Sequence, residues 1–430
     1  MTMLMNHTVL CRTLVAAVAL ATAAMANAQN YETMGELKAG ELAPAALLKG
    51  AFHTVDEKVV FAGAQPNFTI RSQYGTWEAR GQEMLGVRVS ELPAFEQLAK
   101  VSKSDEFVKS TGNAVAAPVK AVGSFVESPV QTTGNVVSGI GLMASRVGRM
   151  AEQSVNRVGD TVSNNAPAQK EIFKPVPPPM GTAAPRSIIG DPLAYNDQRR
   201  QWAQRLKVDP YTFNGKLSDQ LGQVAGVTFV GSFPVNMVLG SVIAPLYYAQ
   251  QFNEQATLEA YQTPPIDIGT RNEARLKKMG IEGLPVRTLL RNNYFTPTLQ
   301  TALVLALESM GNIAGRGEVI VFAARAASET EARYVNNSVM MLAQYNRTTP
   351  LAKIRGADNV IAGETKDGKL IIAAPLDYLP WIKPVDDFAR RMDLKGSERW
   401  ILVSGKTTPR AMQELTTLGW RISDNLAAAK

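Results

Sequence analysis

The stretch PLDYLPWIKP at 375–384, followed by Val385 and Asp386, brings two carboxylates, a tyrosine and a tryptophan close together in sequence. Paired carboxylates beside aromatic rings are the equipment of acid–base hydrolysis, glycan cleavage above all. Asp377, Tyr378 and Asp386 are therefore the candidate catalytic residues, with Trp381 as a wall of a pocket. The same residue types also suit a packed corner between a strand and a helix. Glu329 with Glu331, Asp358 with Glu364 and Asp386 with Asp387 are further carboxylate pairs, at spacings that solvated surface residues share.

Other chemistries are narrowed by what the chain lacks. Its 430 residues include one cysteine and two histidines. Cys11 and His7 fall in the leader described below, which leaves His53. Thiolate zinc sites, cysteine nucleophiles and multi-histidine metal sites then have no material, and a serine triad would have to use His53. His53 lies in AFHTV, which reads as a strand, so a structural imidazole is expected. Neither a metal nor a cofactor is assigned. VSGKTT at 403–408 has the strand–loop–helix setting of a phosphate loop, but Trp400 stands where that motif needs glycine. A cap by Thr408, or an anion at the helix N-terminus, is the plainer reading. GIGLMA at 139–144 matches a dinucleotide fingerprint but lies inside a helical repeat rather than after a buried strand.

The elements that would position these residues follow from patterning. The first 28 residues carry Arg12 as their one charge, an apolar run, and Ala26-Asn27-Ala28, a secretory leader with its cleavage site. Residues 29–97 read as a small α+β unit. In it NFTIRSQYGTWEARG alternates through Phe68, Ile70 and Ser72, turns at Gln73-Tyr74-Gly75, and gives way to helical spacing with Pro93 as a break. Residues 98–163 hold an eleven-residue repeat: NAVAAPVKAVG is followed by SFVESPVQTTG, so Pro118 recurs as Pro129 and Gly123 as Gly134. Val115, Val119, Val122, Val126, Val130, Val136, Ile140, Met143 and Val147 form one apolar stripe. Eleven residues complete three helical turns, which keeps such a stripe nearly straight. Residues 164–192 contain seven prolines and read as a linker.

Residues 193–430 are expected to be helical, then α/β. NDQRRQWAQRLKVDPY opens this part as a basic helix bearing Trp202 and Leu206. Gln220 to Asn253 is 34 residues without a charge, either a buried helical hairpin or a membrane-facing segment. Thr296-Pro297 opens a helix closed by Gly311, and Ser328 with Glu331 makes a capping box. EVIVFAARA is expected to be a strand, NVIAGETKDGKLIIAAP a hairpin turning at Asp367-Gly368, and RWILVSG–TTPRAMQELTTLG–WRIS a βαβ unit. The fold class is thus mixed α+β.

RLKVDPYTFNGKLSDQL and LVSGKTTPRAMQELTTLGW resemble segments of an uncharacterised family of exported proteobacterial proteins. The resemblance covers most of the chain after the leader. It implies export in a bacterium and attaches no activity.

Apolar residues make up 45% of the chain, charged residues 19%, and the net charge is +7. That balance is globular, with a mild preference for anionic partners and no basic run of the kind that binds nucleic acid. The expectation is an exported protein of the periplasm or cell envelope, or secreted. Its role would be non-enzymatic binding or scaffolding, with a lipid surface or an envelope protein as partner. The Val115–Val147 stripe would then be the contact face; the competing use of that stripe is packing within its own domain. A periplasmic hydrolase using the carboxylates at 377 and 386, and a secreted effector that inserts its charge-free stretch into a membrane, are the alternatives.

Overall fold

The computed structural model describes residues 31–102, 192–225 and 250–426, apart from positions 34, 63 and 359. The leader, the eleven-residue repeats with Val115–Val147, GIGLMA, nearly all of the proline-rich segment and most of the charge-free stretch lie outside these residues.

The described chain is mixed α+β. It opens with β1 (Leu37–Lys38), α1 (Ala39–Leu42), α2 (Ala45–Leu48), β2 (Lys49–Gly50), β3 (His53–Val55), β4 (Lys58–Ala62), β5 (Gln65–Ser72) and β6 (Gly75–Arg80). These strands form one antiparallel sheet in the order β1-β4-β5-β3-β2, with β6 also on β5. The expected β5–β6 hairpin forms, pairing Phe68 with Ala79 and Ile70 with Trp77. Phe68 and Ile70 are buried, as the alternation requires. Helix α3 (Gly81–Ser102) follows at once and runs straight through Pro93, which does not break it. Met84, Leu85, Val89, Leu92, Phe95 and Leu98 give it a buried stripe strong enough to carry the proline.

The same core continues past the proline-rich segment. Trp202, Ala203 and Leu206 of α4 (Pro192–Leu206), with Leu217, Leu221 and Val224 of α5 (Gly215–Ala225), share one cluster with the N-terminal sheet and α3. Arg199 joins α4 to α5: its Nε donates to Pro210 O at 2.9 Å and a terminal nitrogen donates to Ser218 Oγ at 2.8 Å. The two helices pack on each other. Glu91 in α3 bonds Asn214, just before α5, while Leu98 and Val101 share the core with Leu221 and Val224. So α3 and α5 pack on each other. Helix α6 (Gln250–Gln262) packs on α4, with Tyr261 at its end in electrostatic reach of Asp209. Ser102 and Pro192 flank residues 103–191, and Ala225 and Gln250 flank residues 226–249.

Helices α7 (Pro265–Lys278), α8 (Leu284–Leu290), α9 (Pro297–Ser309), α10 (Arg316–Ala323) and α11 (Glu329–Thr348) build a second core with α6. Thr298 to Leu307 of α9 are all buried, and Thr296 Oγ1 caps this helix through Leu299 N at 3.2 Å. Ser328 Oγ accepts from Glu331 N at 3.1 Å. The returning bond goes from Ala327 N to Glu331 Oε2 at 2.7 Å, one residue earlier than a standard capping box. The segment EVIVFAARA, expected as a strand, is α10. Its unbroken apolar run has no period to separate the two states. What decides it is packing: Val319, Ile320 and Ala323 are buried in the helical core, and Gly315 before them lies against the backbone of Ile354.

The chain ends with β7 (Leu351–Ala357), β8 (Val360–Thr365), β9 (Leu370–Ala374), β10 (Tyr378–Leu379), α12 (Lys383–Ala389), β11 (Arg399–Val403), β12 (Lys406–Thr407), α13 (Pro409–Thr417) and β13 (Trp420–Ser423). The sheet order is β13-β11-β9-β8-β7. The β7–β8–β9 pairs are antiparallel; β9–β11 and β11–β13 are parallel. Gly368 turns the β8–β9 hairpin at φ +81°, and β11–α13–β13 is the expected βαβ unit. Ile361, Ile371 and Ala373 face the helical core, whereas Ala362, Ile372 and Ala374 face a third cluster with Trp381, Leu415 and Trp420. This central sheet is covered on both faces, which explains its continuous apolar strands.

Candidate functional site

Helix α3 belongs to the N-terminal core and meets α11 and the Asp377 segment on its other side, where a set of charged side chains gathers along it. Asp377, on the segment between β9 and β10, reaches the start of α3: its Oδ2 accepts from Gln82 N at 2.6 Å. It caps a helix that begins almost three hundred residues earlier in the chain. Burial pushes its carboxyl up to about 6; the Gln82 amide opposes that rise and Glu83 adds to it.

Glu83 begins a chain of buried ion pairs. It accepts from Arg333 at 3.0 Å and from Asn337 Nδ2 at 2.5 Å. Arg333 also donates to Glu329 at 2.9 Å, and Glu329 accepts from Arg88 at 2.9 Å. Arg88 turns its other nitrogen to Glu91 at 3.1 Å. Glu91 then accepts from Asn214 Nδ2 at 2.8 Å and from the Thr212 hydroxyl. Burial alone would lower the Arg333 guanidinium, but Glu329 and Glu83 beside it hold it above its ordinary value. Close by, Asp209 accepts from Tyr211 N at 2.9 Å and from the Thr298 hydroxyl at 2.8 Å. Burial raises its carboxyl, against those two bonds.

The arrangement joins three parts of the fold: α3 to α11 through Arg88 and Arg333, and α3 to the α4–α5 loop through Glu91. Each carboxylate already holds protein donors. A general acid or base needs an open face toward its substrate, and these groups turn inward.

The sequence candidates are dispersed. Asp386, in the first turn of α12, accepts from Tyr31 Oη at 2.9 Å and from Arg390 Nε at 2.5 Å, partners distinct from those of Asp377. Tyr378 packs its ring 5.7 Å from that of Phe61, and burial first, then Glu32 and Glu41, raises its hydroxyl. Trp381 is buried in the third cluster, and its backbone N–H donates to Glu32. The loop VSGKTT has no free cradle. A Cβ on Gly405 would stand 2.0 Å from Asp377 O, and Lys406 N donates to the same oxygen at 3.0 Å. Thr408 Oγ1 caps α13 through Ala411 N at 3.0 Å and donates to Glu32 Oε2 at 2.7 Å. The anion nearest this helix start is the chain's own glutamate. His53 is buried, with Nε2 3.0 Å from Leu47 O, and burial lowers its pKa. Among the described residues no group of three or more His, Cys, Asp or Glu is arranged to hold a metal ion, and no helix is long and apolar enough to cross a membrane.

Sequence reasoning missed the Glu83–Arg333–Glu329–Arg88–Glu91 chain. Its local halves are visible, Arg88 with Glu91 and Glu329 with Arg333 at helical spacing, but nothing local pairs Arg88 with Glu329. Comparison with protein-family models, curated proteins and solved structures finds no match.

Proposed function

We propose that this chain is an exported cell-envelope protein with a non-enzymatic binding or scaffolding role at a membrane surface. The observation that carries the reading is where the two unusual segments are attached. Residues 103–191, which contain the valine stripe, are flanked by α3 and α4, and residues 226–249, which are free of charge, by α5 and α6, so both segments are carried by the same helical layer. Both segments are rich in apolar residues, and apolar area plus attraction of a basic chain to anionic lipid is what holds a protein at an interface. The secretory leader agrees with an envelope address. The inward commitment of the buried carboxylates speaks against a hydrolase, the competing reading, whose best support is the raised carboxyl of Asp377.

The test is co-sedimentation of the mature chain with vesicles containing anionic lipid, beside the same chain lacking 113–162. Binding by the first and its loss in the second is expected. Equal partitioning of both to the supernatant would remove the proposal.

A further inference from the structure

An incomplete hydrogen-bond set lies at the entry to α3. Gln65, first residue of β5, donates its side-chain Nε2 to Pro375 O at 3.3 Å. That bond fixes which way the carboxamide faces, and leaves its Oε1 buried without a donor. Asp377 Oδ2 lies close by, accepting from Gln82 N at 2.6 Å. A Cβ on Gly81 would stand 3.0 Å from Asp377 Oδ2 and 3.1 Å from Gln65 Oε1. The two oxygens therefore flank one point, and Gly81, at φ +85°, leaves that point open. Two acceptors this near one point, one of them buried without a donor, are relieved when one brings a hydrogen.

We propose that Asp377 supplies that hydrogen: as a neutral carboxyl it donates to Gln65 Oε1 while accepting from Gln82 N, a proton-dependent latch that ties β5 and α3 to the 375–379 segment. The surrounding charges favour this state. From α3, Glu83 adds a negative charge, partly neutralised by Arg333 of α11. From β12, Lys406 donates its backbone N–H to the backbone carbonyl of Asp377, not to its carboxyl, and turns its Nζ to Glu41 O at 3.4 Å. From the N-terminal segment, Glu32 and Glu41 face the neighbouring Tyr378. Gln65, from β5, is uncharged. Burial in this setting is what lifts the carboxyl to about 6.

The sign of the effect follows. The folded chain holds this proton more tightly than the unfolded chain, so the latch contributes stability at low pH and loses it as pH rises through about 6. A rise from 3.8 to about 6 corresponds to a ~100-fold tighter hold on the proton.

The experiment is a carboxyl-carbon NMR titration of Asp377 in the mature full-length chain, wild type and Gln65→Leu, with thermal unfolding of Asp377→Asn at pH 5 and 7.5. The latch predicts a midpoint near 6 that moves down in Gln65→Leu. It also predicts that Asp377→Asn, whose amide donates to Gln65 at every pH, melts higher than wild type at pH 7.5 and loses part of the pH dependence. A midpoint at the ordinary aspartate value, or a raised midpoint unchanged by Gln65→Leu, would overturn it, whether or not the asparagine variant folds well.

Discussion

Gly405 meets not a ligand but the backbone of Asp377, where an added Cβ would lie 2.0 Å from the carbonyl oxygen and 2.4 Å from its carbon. Neither atom is the end of a flexible side chain, so the strand or the loop must move. Gly405→Ala is expected to lower stability by about 3 kcal/mol in denaturant unfolding, the upper part of the usual range for overpacking. His53 makes a second prediction of opposite pH sign to Asp377. Burial depresses its folded pKa below 6.5, with the Leu47 carbonyl opposing. Unfolded chains then bind more protons than folded ones as pH falls below that value, so His53 costs stability on acidification. Denaturant midpoints measured between pH 7 and 5 should fall less steeply in His53→Gln than in wild type, because glutamine keeps a donor for Leu47 O and takes up no proton. At this scale the sequence marked which residues are scarce and which carry charge. It could not mark Asp377 as a helix cap, because the amide it caps belongs to Gln82, remote in the chain.

Between elements, the fold depends on the ion-pair chain along α3 and α11. Arg88 and Glu91 are buried, and Glu329 and Arg333 nearly so. Taking out one partner leaves the others charged and without compensation. Arg88→Met is therefore expected to cost about 3–5 kcal/mol in chemical unfolding. Lys383→Met, which breaks an exposed pair with Asp387 on α12, should leave the unfolding midpoint close to that of wild type. Near-equal losses in the two variants would mean that the buried chain is not what holds α3 to α11. Elements whose signals are local were legible: Thr296, Ser328 and Thr408 cap where the sequence placed caps, and Gly368 turns the hairpin. Elements decided by distant partners were not. EVIVFAARA became helix α10 because its neighbours bury it as one, and Pro93 stays inside α3 because the stripe around it packs into the N-terminal core.

For the whole molecule, the relevant fact is that α3 and the second half of α4 share one core, with residues 103–191 between the two helices. Loop-closure entropy grows slowly with length, about 0.6 kcal/mol per doubling. Removing 113–162 should then leave the unfolding midpoint of the remaining chain within about 1 kcal/mol of wild type; a larger loss would show that this segment packs into the fold, the competing use of the valine stripe. The mixed α+β class and the βαβ ending were readable from patterning. The joining of α3, α4 and α5 into one core across residues 103–191 was not, since it depends on tertiary packing. The most direct test is fractionation of cells expressing the full-length chain, with salt and alkaline washes of the membrane fraction. The account predicts membrane association that resists salt, yields to alkali and disappears when 113–162 are deleted. Recovery of the full-length chain as a soluble periplasmic protein would contradict it.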